Sequence, residues 1–166
     1  RFKKMILKFS KYLLILLSSV LMGLSQHPIG FGFLSYIALI PILPYMINLR
    51  SYRKAIKIGL TWGLLYNLVV VYWLAFNIGT SDSIAFITMI LSIIILSSCS
   101  IIIFIIWCAL NRRGSSILML PLVWASVEYI RSLGILGFPW TSLANSQLEY
   151  NLIIQTFNNK IQRSFF

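Results

Sequence analysis

The sequence predicts an all-α fold, a bundle of about five transmembrane helices whose N-terminus lies in the cytoplasm. Hydrophobic residues make up 59% of the 166 residues, and charged residues make up only 10%. A soluble domain carries about 25% charged residues, so a soluble fold is excluded. Long uncharged stretches alternate with short basic segments, which is typical of a polytopic membrane protein. A disordered chain is excluded because its hydrophobicity would be low.

Five apolar stretches are predicted to cross the membrane, because a helix needs about 20 mostly apolar residues to do so. They span residues 5–24, 31–49, 56–78, 84–110 and 117–133. Together they predict a basic cytoplasmic arm over residues 1–11 and a transmembrane domain over residues 12–133. In the second span, Pro41 and Pro44 predict a bend or an end of the helix, since each lacks a backbone donor.

The basic residues predict the orientation of these spans. Eleven of the 14 lie in three alternate connections, on one side of the predicted membrane: Arg1, Lys3, Lys4, Lys8, Lys11, Arg50, Arg53, Lys54, Lys57, Arg112 and Arg113. Before residue 134, the opposite side has only Arg131. The positive-inside rule therefore predicts a cytoplasmic N-terminus and an outer location for the segment after the fifth span. Clustering of this kind argues against a nucleic-acid partner.

Four residues inside the spans are candidates for packing or pairing. Gly59 and Gly63 have the G-x-x-x-G spacing that lets two helices approach closely. Glu128 and Arg131 are charges three residues apart in an apolar stretch, so they share one face of a helix. They are interpreted either as a structural ion pair or as a polar anchor for a headgroup or a peptide. The aromatic residues near the span ends are predicted mostly to form interfacial belts; they include Trp62, Tyr66, Tyr72, Trp73, Trp107, Trp124 and Tyr129.

Residues for covalent or metal chemistry are scarce in this sequence. The single histidine is His27, and the two cysteines, Cys99 and Cys108, both lie inside the fourth span. A reactive thiolate needs an electropositive environment, which an uncharged stretch does not supply. We therefore interpret the cysteines as structural, and we predict no catalytic residue, no metal site and no cofactor. These residues by themselves suggest a scaffold or membrane module.

Several short motifs occur in a recognisable order. The fifth span contains Glu128-Tyr129-Ile130-Arg131, followed by Gly137-Phe138-Pro139-Trp140 and Asn145-Ser146-Gln147. Upstream lie Pro28-Ile29-Gly30, then Leu34-Ser35-Tyr36 leading to Pro41, then the spaced glycines and Tyr72-Trp73-Leu74. This ordered set, over about residues 20–155, resembles the family of apolipoprotein N-acyltransferases.

The resemblance implies a role in bacterial lipoprotein maturation at the inner membrane. Family members take an acyl chain from a phospholipid, hold it as a cysteine thioester and transfer it to the α-amino group of a diacylglyceryl-cysteine. Their catalytic residues lie in a periplasmic nitrilase-like domain that these 166 residues lack. The chain is therefore expected to be a membrane-domain fragment that is inactive alone. Its expected partners are membrane phospholipids, an apolipoprotein substrate and, as a further candidate, a separately encoded nitrilase-like domain.

The resemblance also implies which residues contact lipid. The loop over residues 134–157 is expected on the outer, periplasmic side, with Phe138, Pro139 and Trp140 against lipid and Arg131 attracting a phosphate. Residues 158–166 depart from the family pattern. Two alternatives stay open at this point, a small transporter or channel subunit and a membrane assembly protein.

Overall fold

The computed structural model describes residues 2–133 and 142–147, and it describes their side chains from residue 12 onward. All regular elements in these residues are helical. The α-helices are α1 (Phe2–Leu24), α2 (Leu43–Ile47), α3 (Tyr52–Val71), α4 (Asp82–Arg112) and α5 (Leu120–Ser132). Short 3₁₀-helices cover Gly32–Tyr36, Ile40–Ile42, Tyr72–Phe76, Ile117–Met119 and Leu143–Gln147.

Two helical stretches are long and apolar enough to cross a membrane. They are Tyr52–Phe76, which joins α3 to the following 3₁₀-helix, and Asp82–Arg112, which is α4. Tyr12–Leu24 and Gly32–Ile47 are shorter apolar stretches. The all-helical arrangement of the described residues is consistent with a membrane helix bundle. The number of spans and the side of the N-terminus stay predictions.

The predicted second span, residues 31–49, is not one continuous α-helix. It is divided into the 3₁₀-helices Gly32–Tyr36 and Ile40–Ile42 and the short helix α2. Pro41 and Pro44 lie in the first turns of the last two pieces. Proline lacks the N–H that continues a helix and clashes with the preceding turn, but it fits the first turn well. The bend expected at the prolines is therefore a full interruption.

Helix α3 packs against both α1 and α4. Its two spaced glycines lie at the contact with α4. A Cβ atom added at Gly59 would lie 3.0 Å from Cα of Ile101, and one added at Gly63 would lie 2.9 Å from Cβ of Ser100. A real side chain would have to displace α4, so the two backbones approach each other as closely as glycine allows.

The expectation that most aromatic residues form interfacial belts is wrong for four of them. The buried ones are Trp62, Tyr66, Trp107 and Trp124. The Trp62 ring stacks on Tyr66 at a centroid distance of 4.9 Å and meets the Trp124 ring edge-on at 5.3 Å. Its indole Nε1 donates to Oγ of Ser18 on α1 at 3.0 Å. A buried indole needs an acceptor for its N–H, and here the protein rather than the interface supplies it.

Candidate functional site

An open cavity of about 680 Å³ lies between the region of Gly32–Tyr36 and α5. Its walls come from three separate parts of the sequence, within residues 35–43, 117–128 and 143–147. Most of the lining side chains are apolar; they include Leu39, Ile40, Leu43, Leu118, Leu120, Pro121 and Ala125. Ligand sites in proteins have volumes of about 300–1,000 Å³, so this cavity is large enough to receive a small molecule or a lipid tail.

Glu128 provides the carboxylate in the wall of this cavity. Trp124 lies one helical turn earlier on α5, and its indole Nε1 donates to Oε1 of Glu128 at 2.8 Å. The backbone N–H of Leu143 donates to both carboxylate oxygens, at 3.0 and 3.1 Å. Leu143 begins a 3₁₀-helix, where N–H groups have no acceptor within the helix. Glu128 therefore satisfies that amide and attaches the Leu143–Gln147 helix to α5.

Gln147 attaches the other end of the same 3₁₀-helix to the opposite wall. Its side-chain Nε2 donates to the carbonyl oxygen of Gly32 at 3.0 Å and to Oγ of Ser35 at 2.9 Å. The hydroxyl of Tyr36 donates to Oε1 of Gln147 at 2.9 Å. The Leu143–Gln147 helix thus bridges the cavity, from α5 on one side to Gly32–Tyr36 on the other.

Arg131 and Glu128 line a second, much smaller cavity, together with side chains from α3 and α4 that include Cys99. Nε and Nη2 of Arg131 are buried and have no hydrogen-bond partner in the described part of the chain. The hydrogen bonds of the Glu128 carboxylate go to Trp124 and Leu143 instead. Among the described residues, no direct bond joins Glu128 to Arg131, although the two side chains face the same space as their spacing predicts.

The other candidate residues lie elsewhere. Gly59 and Gly63 lie at the contact between α3 and α4. Cys108 is buried within the core. Phe138, Pro139 and Trp140 fall outside the described residues.

The residues that close the large cavity are not predicted as site residues by the sequence. Ser35, Tyr36 and Gln147 stand out in the sequence only as parts of motifs, and the sequence pattern favours an interfacial belt for Trp124. The motif positions themselves were the available signal, because the segments Leu34-Ser35-Tyr36 and Asn145-Ser146-Gln147 turn out to meet at the same place.

Comparison with known proteins agrees with the resemblance found in the sequence. A family model described as the apolipoprotein N-acyltransferase N-terminal domain matches residues 18–158. An apolipoprotein N-acyltransferase of Geobacter metallireducens is 31% identical over 149 residues, which cover 87% of this chain. One of Pasteurella multocida is 22% identical over 149 residues, which cover 89% of this chain.

These matches take up 28% of the length of each relative. No solved structure matches the chain significantly. Since the family model covers residues 18–158 of the 166, the chain belongs to the apolipoprotein N-acyltransferase N-terminal domain family.

Proposed function

We propose that this chain forms the lipid-binding membrane part of an apolipoprotein N-acyltransferase, and that its large cavity holds an acyl chain of the phospholipid substrate. The apolar lining of this 680 Å³ cavity is the main support. An acyl chain presents only apolar surface, so it can enter these walls without burying an unpaired polar group. Such a ligand suits these walls better than a polar substrate would.

The origin of the cavity walls supports the same proposal. Ser35, Glu128 and Gln147 each come from a different motif of the family resemblance, and all three line the cavity. Glu128 accepts a hydrogen bond from Leu143 and Ser35 accepts one from Gln147, so both ends of the Leu143–Gln147 helix are held in place. The segments that resemble the family therefore build one site, which is expected if that site serves the family's shared lipid chemistry.

The remaining steps of the reaction are proposed from family membership. The protein is a multi-pass protein of the bacterial inner membrane, and the segment after α5 lies on the periplasmic side. A nitrilase-like domain provides the nucleophilic cysteine, and an apolipoprotein provides the amine that accepts the acyl chain. The present residues are proposed to contribute lipid binding, and Cys108 is enclosed in the core.

Two groups of residues are proposed to contact the lipid outside the cavity. Phe138, Pro139 and Trp140 lie against lipid at the outer leaflet, where an indole ring is favourable at headgroup level. Arg131 attracts a headgroup phosphate through its planar guanidinium.

Filling the cavity tests the proposal. Ala125 lines the cavity and has a small side chain, so Ala125→Trp places an indole ring in the space that the acyl chain would occupy. The neighbouring Ser126 does not line the cavity and is exposed, so Ser126→Trp on the same helix is a matched control. The purified chain is reconstituted with a phospholipid whose acyl chain carries a photoreactive diazirine, and cross-linked peptides are identified by mass spectrometry.

The wild type and Ser126→Trp should cross-link within residues 35–43 and 117–128. In Ala125→Trp, the cross-linking signal from these residues should fall about tenfold, which corresponds to a loss of about 1.4 kcal/mol in binding free energy. Equal labelling of both variants at the cavity would contradict the proposal. So would labelling spread evenly over the exposed apolar face of α4.

A further inference from the structure

Three arginines meet at one end of α3 and α4, away from the residues proposed to bind the acyl chain. Arg50 and Arg53 flank the first residue of α3, and Arg112 is the last residue of α4. With Ser51 and Tyr52 they line an open cleft of about 610 Å³. Cations on separate elements that face a common cleft form a concave site of positive charge.

Buried hydrogen bonds hold the backbone on which this cleft is built. The Nδ2 atom of Asn111, at the end of α4, donates to the carbonyl oxygens of Ile47 at 2.9 Å and Leu49 at 3.0 Å. The indole Nε1 of Trp107 donates to the carbonyl oxygen of Met46 at 2.8 Å. These bonds fix the segment before Arg50 against α4, so the approach of Arg50 to Arg112 is built into the packing.

The guanidinium of Arg112 is also held in position. It lies over the ring of Tyr52, with 5.1 Å between its central carbon and the ring centroid. A cation–π contact of this kind attracts the guanidinium charge to the ring. Arginine also carries several N–H donors, which bind oxyanions in a bidentate manner.

No carboxylate neutralises this cleft in the described residues. Asp82 lies in the first turn of α4, at the opposite end of that helix from Arg112. The carboxylate of Glu128 accepts from Trp124 and Leu143 at the other site. Within residues 2–133 and 142–147, the positive charge of the three arginines is therefore available to an external anion.

The surroundings indicate an anion that carries an apolar tail. The cleft lies at the ends of the two stretches that are long and apolar enough to cross a membrane, which is the level of the lipid headgroups. Exposed apolar side chains lie close to it in sequence on α2 and α3: Ile47 is 52% exposed, and Tyr52 and Ile56 are each 42% exposed. A soluble anion would leave this apolar surface exposed, whereas the acyl chains of a lipid cover it.

We propose that Arg50, Arg53 and Arg112 form a binding site for the phosphate of an anionic phospholipid, whose acyl chains lie along the apolar surface of α2 and α3. This site is separate from the acyl-chain cavity and does not depend on the function proposed for it. Basic pockets between transmembrane helices bind anionic headgroups in this way.

A comparison of two triply substituted variants tests the site. The first is Arg50→Gln/Arg53→Gln/Arg112→Gln. The second, Lys54→Gln/Lys57→Gln/Arg113→Gln, removes the same number of exposed charges nearby from residues that do not line the cleft. Each purified 166-residue chain is titrated in detergent with fluorescent phosphatidylglycerol and, separately, with fluorescent phosphatidylcholine.

The cleft variant should bind phosphatidylglycerol about tenfold or more weakly than the wild type, and the matched variant should lose less than about threefold. Phosphatidylcholine should bind all three proteins alike. Wild-type binding of phosphatidylglycerol should also weaken as salt concentration rises, since it depends on charge. Equal losses in the two variants would overturn the proposal, because they would show a general effect of net charge.

A competition experiment distinguishes a lipid-binding site from a site for free anions. Inorganic phosphate at millimolar concentration should leave phosphatidylglycerol bound, because it lacks the acyl chains; full displacement would show a site for soluble anions and overturn the proposal. Circular dichroism checks that both variants keep the wild-type helix content. If the cleft variant does not fold, Arg53→Gln and Arg112→Gln compared singly with Lys57→Gln give the same test, with smaller expected losses.

Discussion

Among individual residues, Glu128 has the most demanding environment in the candidate site. A carboxylate in an apolar wall is costly unless donors reach it. Glu128 has two such donors, the indole of Trp124 and the backbone amide of Leu143. The same contacts determine where the Leu143–Gln147 helix begins, so one side chain both satisfies its own charge and positions a wall of the cavity.

Replacing Glu128 should therefore lower the stability of this region. Glu128→Ala leaves the Leu143 amide and the Trp124 indole without their acceptor, and we expect the free energy of unfolding to fall by about 1–3 kcal/mol. Glu128→Gln keeps one acceptor oxygen and should cost less. Denaturant unfolding in detergent micelles, followed by tryptophan fluorescence, measures both. Ser126→Ala, at an exposed position of the same helix, is the control, and a Gln variant as unstable as the Ala variant would refute this account.

The same residue shows what sequence can and cannot predict about a site. The sequence alone indicates Glu128, because it is an acid in an otherwise apolar stretch. Spacing along one helix is the only geometry that a sequence displays, so it offers Arg131 as a partner in an ion pair, beside the alternative of a polar anchor. The observed donor from Leu143 is a backbone amide, which no side-chain pattern reveals. Gln147 likewise bonds to Ser35 across 112 positions of sequence.

Among the elements, the packing of α3 against α4 depends on glycine residues, which have no side chain. Gly63→Ala would place a Cβ atom 2.9 Å from Cβ of Ser100. The helices would have to separate, and we expect a loss of about 1–3 kcal/mol in the free energy of unfolding, as for overpacked cores. This loss should exceed the gain in helix propensity, which is about 1 kcal/mol. The measurement is denaturant unfolding of the purified chain.

Two further variants distinguish a packing clash from a general effect of removing glycine. Gly79→Ala adds a Cβ whose nearest contact is Oδ1 of Asn77 at 3.4 Å, so it should change stability little. Ser100→Gly removes the obstructing Cβ atom, and in combination with Gly63→Ala it should restore part of the lost stability. Simple additivity of the two substitutions would contradict a direct contact.

The elements also differ in how well hydropathy predicts them. The predicted spans over residues 56–78 and 84–110 overlap the observed stretches Tyr52–Phe76 and Asp82–Arg112 closely. Residues 31–49 are equally free of charge, yet they form three short pieces. Hydropathy reports whether a segment avoids water and says nothing about whether its hydrogen bonds are continuous, and Pro41 and Pro44 interrupt them here.

For the whole molecule, the distribution of basic residues predicts how the helix bundle is oriented in the membrane. The arginines that line the proposed headgroup cleft, Arg50, Arg53 and Arg112, belong to the clusters that predict the orientation. If these clusters face the cytoplasm, α4 crosses the membrane from Asp82 on the outer side to Arg112 on the inner side. Residues that flank the two ends of α4 then report the topology directly.

Cysteine labelling in intact cells should reveal that topology. Ser81→Cys places an exposed thiol just before α4, and Ser115→Cys places a thiol just after it. The positive-inside rule predicts that a membrane-impermeant maleimide labels Ser81→Cys in intact spheroplasts and labels Ser115→Cys only after lysis. The unsubstituted chain, whose Cys99 and Cys108 lie within α4, gives the background. The reverse pattern would show that the bundle has the opposite orientation. Equal labelling of both positions in intact spheroplasts would show that α4 does not cross the membrane.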